Sequence, residues 1–352
     1  MGFIDVEGIQ IKGVSTVVPK QVVYNKNYEL LTLSEREMLI KTTGIKQRRV
    51  ANKSTTTSDL AIEAANHLFD KVDWKRTEID LLVFVTQSRD YYLPSTAVIS
   101  QHKLGLSTSC IAFDIGLGCS GYVYGLSIIA SMLKSGNLEK AILLAGDVST
   151  ISCNYNDKSA YPLFGDAGSA TFIEKTNKKN KWSFDLNSDG SGEDAIKITD
   201  GGTRNLPSED SFILKQFEGG IQRNGFNLAL NGIDIFNFSV TTVPKSIKNF
   251  LTIKETDIDS IDYFIMHQAN LIMNETIRKK LKIDPEKIPY SLADYGNTSS
   301  ASIPLTMALV ESLKTNTSKL LLSGFGVGLS WGNALLENDA IPHLLINDYS
   351  HD

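Results

Sequence analysis

Apolar residues along the chain follow two rhythms. Short runs at Leu81 to Val85, Ala141 to Ala145, Tyr263 to Met266 and Lys319 to Leu322 have the length and composition of strands buried on both faces. Between them, apolar residues recur three and four apart. Ala61, Ala64, Ala65 and Leu68 form one such stripe. Val123, Leu126, Ile129, Ala130 and Leu133 form another, stopped by Gly136, and Leu305, Ala308, Leu309 and Leu313 form a third. Strands alternating with helices predict an α/β protein with buried sheets.

The pattern also repeats. Cys119 stands 24 residues before the segment Leu143-Leu144-Ala145-Gly146, and Asn297 stands 24 residues before Leu321-Leu322-Ser323-Gly324. In each case a small-residue turn precedes a helical stripe and then a strand ending in Gly. Upstream, Ile79-Asp80 and Ile261-Asp262 open equivalent strands. This predicts two related halves, 1–180 and 181–352, with Cys119 and Asn297 at corresponding turns across a pseudo-twofold axis. The stretch from Thr176 to Asn224 is rich in Lys, Asn, Asp, Ser and Gly, and reads as surface connection and inserted loops. Asn347 to Asp352 reads as a frayed end.

Composition narrows the function. The chain has 352 residues, 42% hydrophobic and 21% charged, enough for more than one core. A net charge of −5 argues against a nucleic-acid partner. No stretch reaches the ~20 apolar residues a membrane helix needs. The N-terminus lacks the basic segment and apolar run of a signal peptide, and Val6 breaks the myristoylation pattern. The reading is cytoplasmic. The three cysteines, Cys110, Cys119 and Cys153, do not suggest a disulfide framework, and no CxxC or HExxH spacing suggests zinc.

Cys119 has the setting of a nucleophile. It lies in Gly118-Cys119-Ser120-Gly121, a turn between an apolar strand (Cys110 to Phe113) and the Val123 stripe. The free N–H groups at a helix N-terminus favour thiolate and can hold an oxyanion. Cys110 reads as core, and Cys153 has no comparable setting. His267 ends a strand just before a helix, placed to point into a cleft. Asn297 lies in a second glycine-marked turn, with Pro304 tolerable in the first turn of the helix that follows. Three other patterns fail on detail. Asp185, Asn187, Asp189 and Gly190 begin like a calcium loop, but position twelve is Ile196. Gly324, Gly326 and Gly328 do not make the dinucleotide fingerprint. Asn297-Thr298-Ser299 matches a glycosylation sequon, which a cytosolic chain would not use.

The ordered set of motifs resembles the β-ketoacyl-acyl-carrier-protein synthase III family of the thiolase superfamily, over nearly the whole chain. The set comprises Thr43-Gly44-Ile45 with Arg48-Arg49, Leu93-Pro94-Ser95-Thr96, Gly118-Cys119-Ser120-Gly121, Phe164-Gly165-Asp166-Ala167-Gly168, His267-Gln268-Ala269-Asn270, Gly296-Asn297-Thr298-Ser299 and Trp331-Gly332. The resemblance implies a thiolase-like fold, two duplicated halves in a five-layered α-β-α-β-α arrangement. It implies that Cys119 takes an acyl group from an acyl-CoA or acyl carrier protein. His267 and Asn297 would then stabilise the enolate of malonyl carrier protein as carbon dioxide leaves. The N–H groups of Cys119 and Gly326 would form the oxyanion hole. Leu93 would line the acyl pocket of a partner subunit in a homodimer, Lys279 and Lys280 would face the carrier protein, and no metal or redox cofactor would be needed.

The chain also departs from the family's pattern. Met38 and Lys158 stand where Trp and Arg commonly sandwich the adenine of coenzyme A. Thr42 and Ile272 replace two further arginines, and Val327 interrupts the usual FGGG. A specialised member is expected, with an altered donor-recognition surface. Two alternatives remain open at this stage. One is transfer of the acyl group to an alcohol or amine without decarboxylation. The other is a cysteine hydrolase, although Leu117 stands where a nucleophile elbow needs Gly.

Overall fold

The computed structural model describes residues 3–351. Two mixed sheets carry the architecture. One has six strands in the order His343–Asp348, Ile9–Val18, Ala167–Lys175, Lys140–Asp147, Leu81–Val85 and Ile111–Ile115. The other has five, in the order Phe3–Glu7, Lys181–Ser188, Ser330–Asn338, Ser318–Gly326 and Tyr263–Met266. From the second strand of each list onward, neighbours pair antiparallel, antiparallel, then parallel. The register repeats too, since Gly146 lies opposite Gly168 in one sheet and Gly324 opposite Gly332 in the other. Asp80 and Asp262 do the same job in the two sheets. The Asp80 carboxylate accepts from the Lys140 N–H at 3.1 Å, and Asp262 accepts from the Lys319 N–H at 2.7 Å, each fixing the start of the neighbouring strand. The first strand of the chain lies in the second sheet, and the last lies in the first.

Helices Gly121–Ser135 and Ser302–Ala308 pack between the sheets and touch both. Thr57–Phe69 and Thr96–Lys103 cover the outer face of the first sheet, and Gly232–Ile253 covers that of the second, with Leu271–Leu281 packed against it. The result is five layers, as the resemblance implied. Burial explains the uninterrupted apolar runs: all of Leu81–Val85 is buried, with a helix on each face. Gly121 is required by close approach, because a Cβ there would lie 2.3 Å from the Val85 side chain. The helix therefore starts flush against the sheet, directly after Cys119.

Two segments differ from the sequence reading. Within the supposed surface stretch, Lys181–Ser188 is a strand of the second sheet, and its Trp182 and Phe184 are fully buried in the central core. Asp185 of that strand accepts from Ser246 and Asn333, which explains it without a ligand. The C-terminus is also held. His343–Asp348 pairs with Ile9–Val18, the Tyr349 N–H donates to the Val18 carbonyl, and Ser350 bonds to Glu63. Asp352 lies outside the described residues.

Candidate active site

Cys119, His267 and Asn297 come from three separate turns at the ends of strands and helices, and line one cavity of about 530 Å³. Each is buried, at 9%, 2% and 8% exposure. Cys119 lies one residue before the helix N-cap, Ser120. His267 follows the strand Tyr263–Met266, and its N–H donates to the Ser323 carbonyl of the neighbouring strand at 2.8 Å. Its imidazole Nδ1 bonds to the Ser302 hydroxyl at 2.8 Å, and its ring meets Phe325 edge-on. Asn297 is fixed by its backbone: its N–H donates to the Leu163 carbonyl, and its carbonyl accepts from the Gly165 N–H.

Ser299 connects the three. Its hydroxyl lies 3.8 Å from the Cys119 sulfur, its N–H donates to Asn297 Oδ1 at 2.9 Å, and its backbone lies near enough to the His267 ring to oppose the effect of burial on that ring's pKa. It does so with φ at +50°, a region an L residue other than Gly seldom occupies. Gly326 closes the site from the other sheet. A Cβ there would lie 2.9 Å from the Cys119 Cβ and 3.1 Å from its sulfur, so only Gly lets this backbone approach the thiol.

Electrostatics depart from the expectation of a resting thiolate. Burial pushes the Cys119 thiol up to about 12; the Asp147 carboxylate adds to this, and the Ser299 hydroxyl opposes it. At that value the thiol is protonated at neutral pH. Burial also drives His267 down to about 3, so its imidazole is neutral. Asp147 is pushed above the ordinary carboxylate range by burial, although several N–H and hydroxyl donors work against this.

Sequence reasoning missed Asp147, Ser299 and much of the cavity wall. Ile196, Ile198, Leu228 and Leu230 line the cavity from the segment read partly as inserted loop, joined by Ile235 and Phe236 at the start of helix Gly232–Ile253. The other singled-out residues lie outside it. Met38, Leu93, Lys158, Lys279 and Lys280 are exposed, Leu93 at 86%. Thr32 holds the Glu35 carboxyl below its ordinary range on the helix that carries Met38, with a smaller contribution from the Lys158 charge.

Comparison with known proteins gives the family. The family described as 3-oxoacyl-[acyl-carrier-protein (ACP)] synthase III matches residues 113–190, and its C-terminal counterpart matches residues 251–338. The chain is 33% identical to a β-ketoacyl-[acyl-carrier-protein] synthase III of Streptococcus mutans over 91% of this chain and 96% of the relative. A crystal structure of a 3-oxoacyl-(acyl-carrier protein) synthase from Burkholderia xenovorans superposes with a TM-score of 0.92 at 34% identity, covering 99% of each chain. The priming β-ketosynthase of the R1128 polyketide pathway superposes with a TM-score of 0.81 at 25% identity, over 95% of this chain and 98% of that one.

Proposed function

The chain belongs to the 3-oxoacyl-[acyl-carrier-protein] synthase III family and is a condensing acyltransferase, and we propose that Cys119, His267 and Asn297 carry its two half-reactions. In the first, the Cys119 sulfur attacks an acyl thioester and keeps the acyl group, with the N–H groups of Cys119 and Gly326 holding the oxyanion. In the second, malonyl carrier protein enters. His267 and Asn297 hydrogen-bond its thioester oxygen, carbon dioxide leaves, and the resulting carbanion attacks the acyl-cysteine to give a 3-oxoacyl thioester. A neutral His267 suits this role, since a donor that does not protonate the enolate leaves the carbanion free to attack. The observation that carries the reading is the single apolar cavity that gathers these three side chains with Gly326.

Finer features follow the same proposal. Residues 1–180 and 181–352 are its two halves, working in the cytoplasm. No helix among the described residues is long and apolar enough to cross a membrane. Lys279, exposed in the last turn of helix Leu271–Leu281, meets the acidic carrier. Leu93, exposed between Pro94 and the exposed Tyr91 and Tyr92, reaches the acyl pocket of a second subunit. The donor is carrier-bound rather than coenzyme A. Met38 offers no π face for an adenine, and Lys158 lacks the planar guanidinium that stacks on one. Such stacking is worth roughly 1–3 kcal/mol per base.

Intact mass spectrometry tests the whole reading. The protein is incubated with matched acyl-CoA and acyl carrier protein donors, then with malonyl carrier protein. An acyl adduct on Cys119 that disappears as a 3-oxoacyl carrier forms is the expected result. An adduct on Cys110 or Cys153 instead, or release of free acid only, overturns it. Faster loading from acyl-CoA overturns the donor assignment alone.

A further inference from the structure

Among the described residues, the cavity is lined by three titratable side chains: Cys119, His267 and Asp147. The first two have roles in the reaction proposed above. Asp147 does not, and it is an expensive group to leave there. It is 2% exposed at the end of strand Lys140–Asp147, and its partners are hydroxyls and N–H groups rather than a cation. One oxygen accepts from the Gln87 N–H at 2.7 Å and the Thr86 hydroxyl at 3.2 Å. The other accepts from the Ser300 hydroxyl at 2.8 Å and the Ser300 N–H at 3.3 Å. Removing a carboxylate from water costs several kcal/mol. A carboxylate retained beside a thiol, where its charge hinders ionisation, calls for a use.

We propose that Asp147 receives the Cys119 proton through the Ser299 hydroxyl when the enzyme is acylated. The path is short. The Cys119 sulfur lies 3.8 Å from Ser299 Oγ, and the same hydroxyl lies near enough to the Asp147 carboxylate to work against the rise that burial gives its pKa. Ser300, next in the chain, is clamped to Asp147 by two hydrogen bonds, and this holds Ser299 between thiol and acid. The Cys119 S–H bond breaks as the Ser299 oxygen takes that proton. Ser299 passes its own hydroxyl proton to Asp147, and the sulfur electron pair forms the C–S bond to the thioester carbonyl. When the tetrahedral adduct collapses, the donor's sulfur leaves with the C–S electron pair. It takes a proton back along the same path, and Asp147 returns to carboxylate. No other reactant enters.

His267 is the poorer acceptor. Its Nδ1 is engaged by Ser302, and burial holds it at about 3. Asp147 is shifted the opposite way, towards higher proton affinity. A thiol at about 12 leaves roughly one part in 10⁵ as thiolate at pH 7, so transfer of the proton during attack matters. Ser299 is the catalytic group here, because it touches the reacting sulfur. Asp147 acts through it, as a positioning residue and proton store.

The test rests on the acyl-transfer half of the function proposed above and separates it from condensation. Single-turnover acylation of Cys119 by S-acetyl-N-acetylcysteamine, a thioester with neither nucleotide nor protein attached, is followed by mass from pH 6 to 9. The variants are Asp147→Asn and Ser299→Ala. Carbon dioxide release from malonyl carrier protein, which requires no thiol deprotonation, is measured in parallel. Both variants should lose about 10²-fold in acylation, a loss at least about tenfold greater than whatever each loses in carbon dioxide release. Acylation within about threefold of the parent in a folded Ser299→Ala protein overturns the relay. So does faster acylation in Asp147→Asn, which would make the carboxylate only an electrostatic brake. Should Asp147→Asn not fold, Ser299→Ala decides alone, because it leaves every Asp147 bond to Ser300, Gln87 and Thr86 in place. A parent that is acylated but releases no carbon dioxide overturns condensation and leaves the relay to be judged on acylation.

Discussion

The Lys280 ammonium donates to the Val240 carbonyl at 2.8 Å. Val240 lies four residues before Pro244, inside helix Gly232–Ile253. Proline has no N–H, so the Val240 carbonyl loses its normal helical donor. A lysine from the next helix, Leu271–Leu281, replaces it and ties the two helices together. The residue expected to face a carrier protein thus also serves the fold, which leaves Lys279 as the freer of the pair.

The first prediction uses that replacement. Lys280→Met should cost about 1 kcal/mol of stability by urea unfolding. Pro244→Ala restores a backbone donor to Val240, so in that background the cost of Lys280→Met should shrink to about a third. Equal costs in both backgrounds would show that the contact contributes nothing. Lys279→Ala should leave stability unchanged and weaken use of the carrier protein.

His267 gives a signed pH dependence. Its folded pKa, about 3, lies below the ordinary 6.5, so the unfolded chain binds the proton more readily. The resulting stability is fully present above 6.5 and is lost as pH falls towards 3. Between pH 7.5 and 4.5, replacement by Gln should reduce the acid-induced loss by about 2–3 kcal/mol. Urea titrations at the two pH values check this. An equal loss in parent and variant would mean that the imidazole is protonated in the fold.

The close approach of Gly326 to Cys119 can be tested with one methyl group. The Cβ of Gly326→Ala would lie 3.1 Å from the sulfur and 2.9 Å from the Cys119 Cβ. The strand must shift, and the N–H of residue 326 moves with it. Acylation of Cys119 should fall by about 10²-fold or more, the scale for losing one oxyanion donor. The circular dichroism of the folded state should be retained. Parental acylation rates would place the oxyanion elsewhere.

Cys119, His267 and Asn297 were legible in the sequence because each sits where one period gives way to another, at a turn marked by glycine or at the end of an apolar run. The duplicated sheets were legible for the same reason: Asp80 and Asp262 open strands of like pattern, and the carboxylates fix like registers. Asp147 was not. It reads as the polar residue that ends an apolar strand, and only the arrival of Ser300, 153 residues later, makes it an interior group. Lys181–Ser188 did carry a signal, the alternation Trp182, Phe184, Leu186, which its polar intervening residues obscured. Helix Gly232–Ile253 was hidden by Pro244 and its β-branched residues, which lower local helix propensity; packing of Phe238, Val243, Ile247 and Phe250 overrides this. The third stripe ran too far: the helix stops at Ala308, and Leu313 reaches the core from a separate turn.

Asn297 offers the sharpest division between the two half-reactions. Its Oδ1 accepts the Ser299 N–H at 2.9 Å, which turns its amide nitrogen, the donor end, towards the cavity it lines. Removing that donor should leave attack of Cys119 on a thioester largely intact, because the proposed mechanism gives the oxyanion of that step to the Cys119 and Gly326 N–H groups. The enolate formed by decarboxylation would lose one of its two hydrogen bonds. Asn297→Ala should therefore load an acyl group at close to the parental rate, yet release carbon dioxide from malonyl carrier protein about 10²–10³-fold more slowly. Asn297→Asp should be as slow, since a carboxylate offers no donor and repels the enolate. The acyl-enzyme should then accumulate and be visible by intact mass in the presence of both substrates. If Asn297→Ala instead abolishes loading and leaves carbon dioxide release intact, the assignment of this amide to the enolate is wrong.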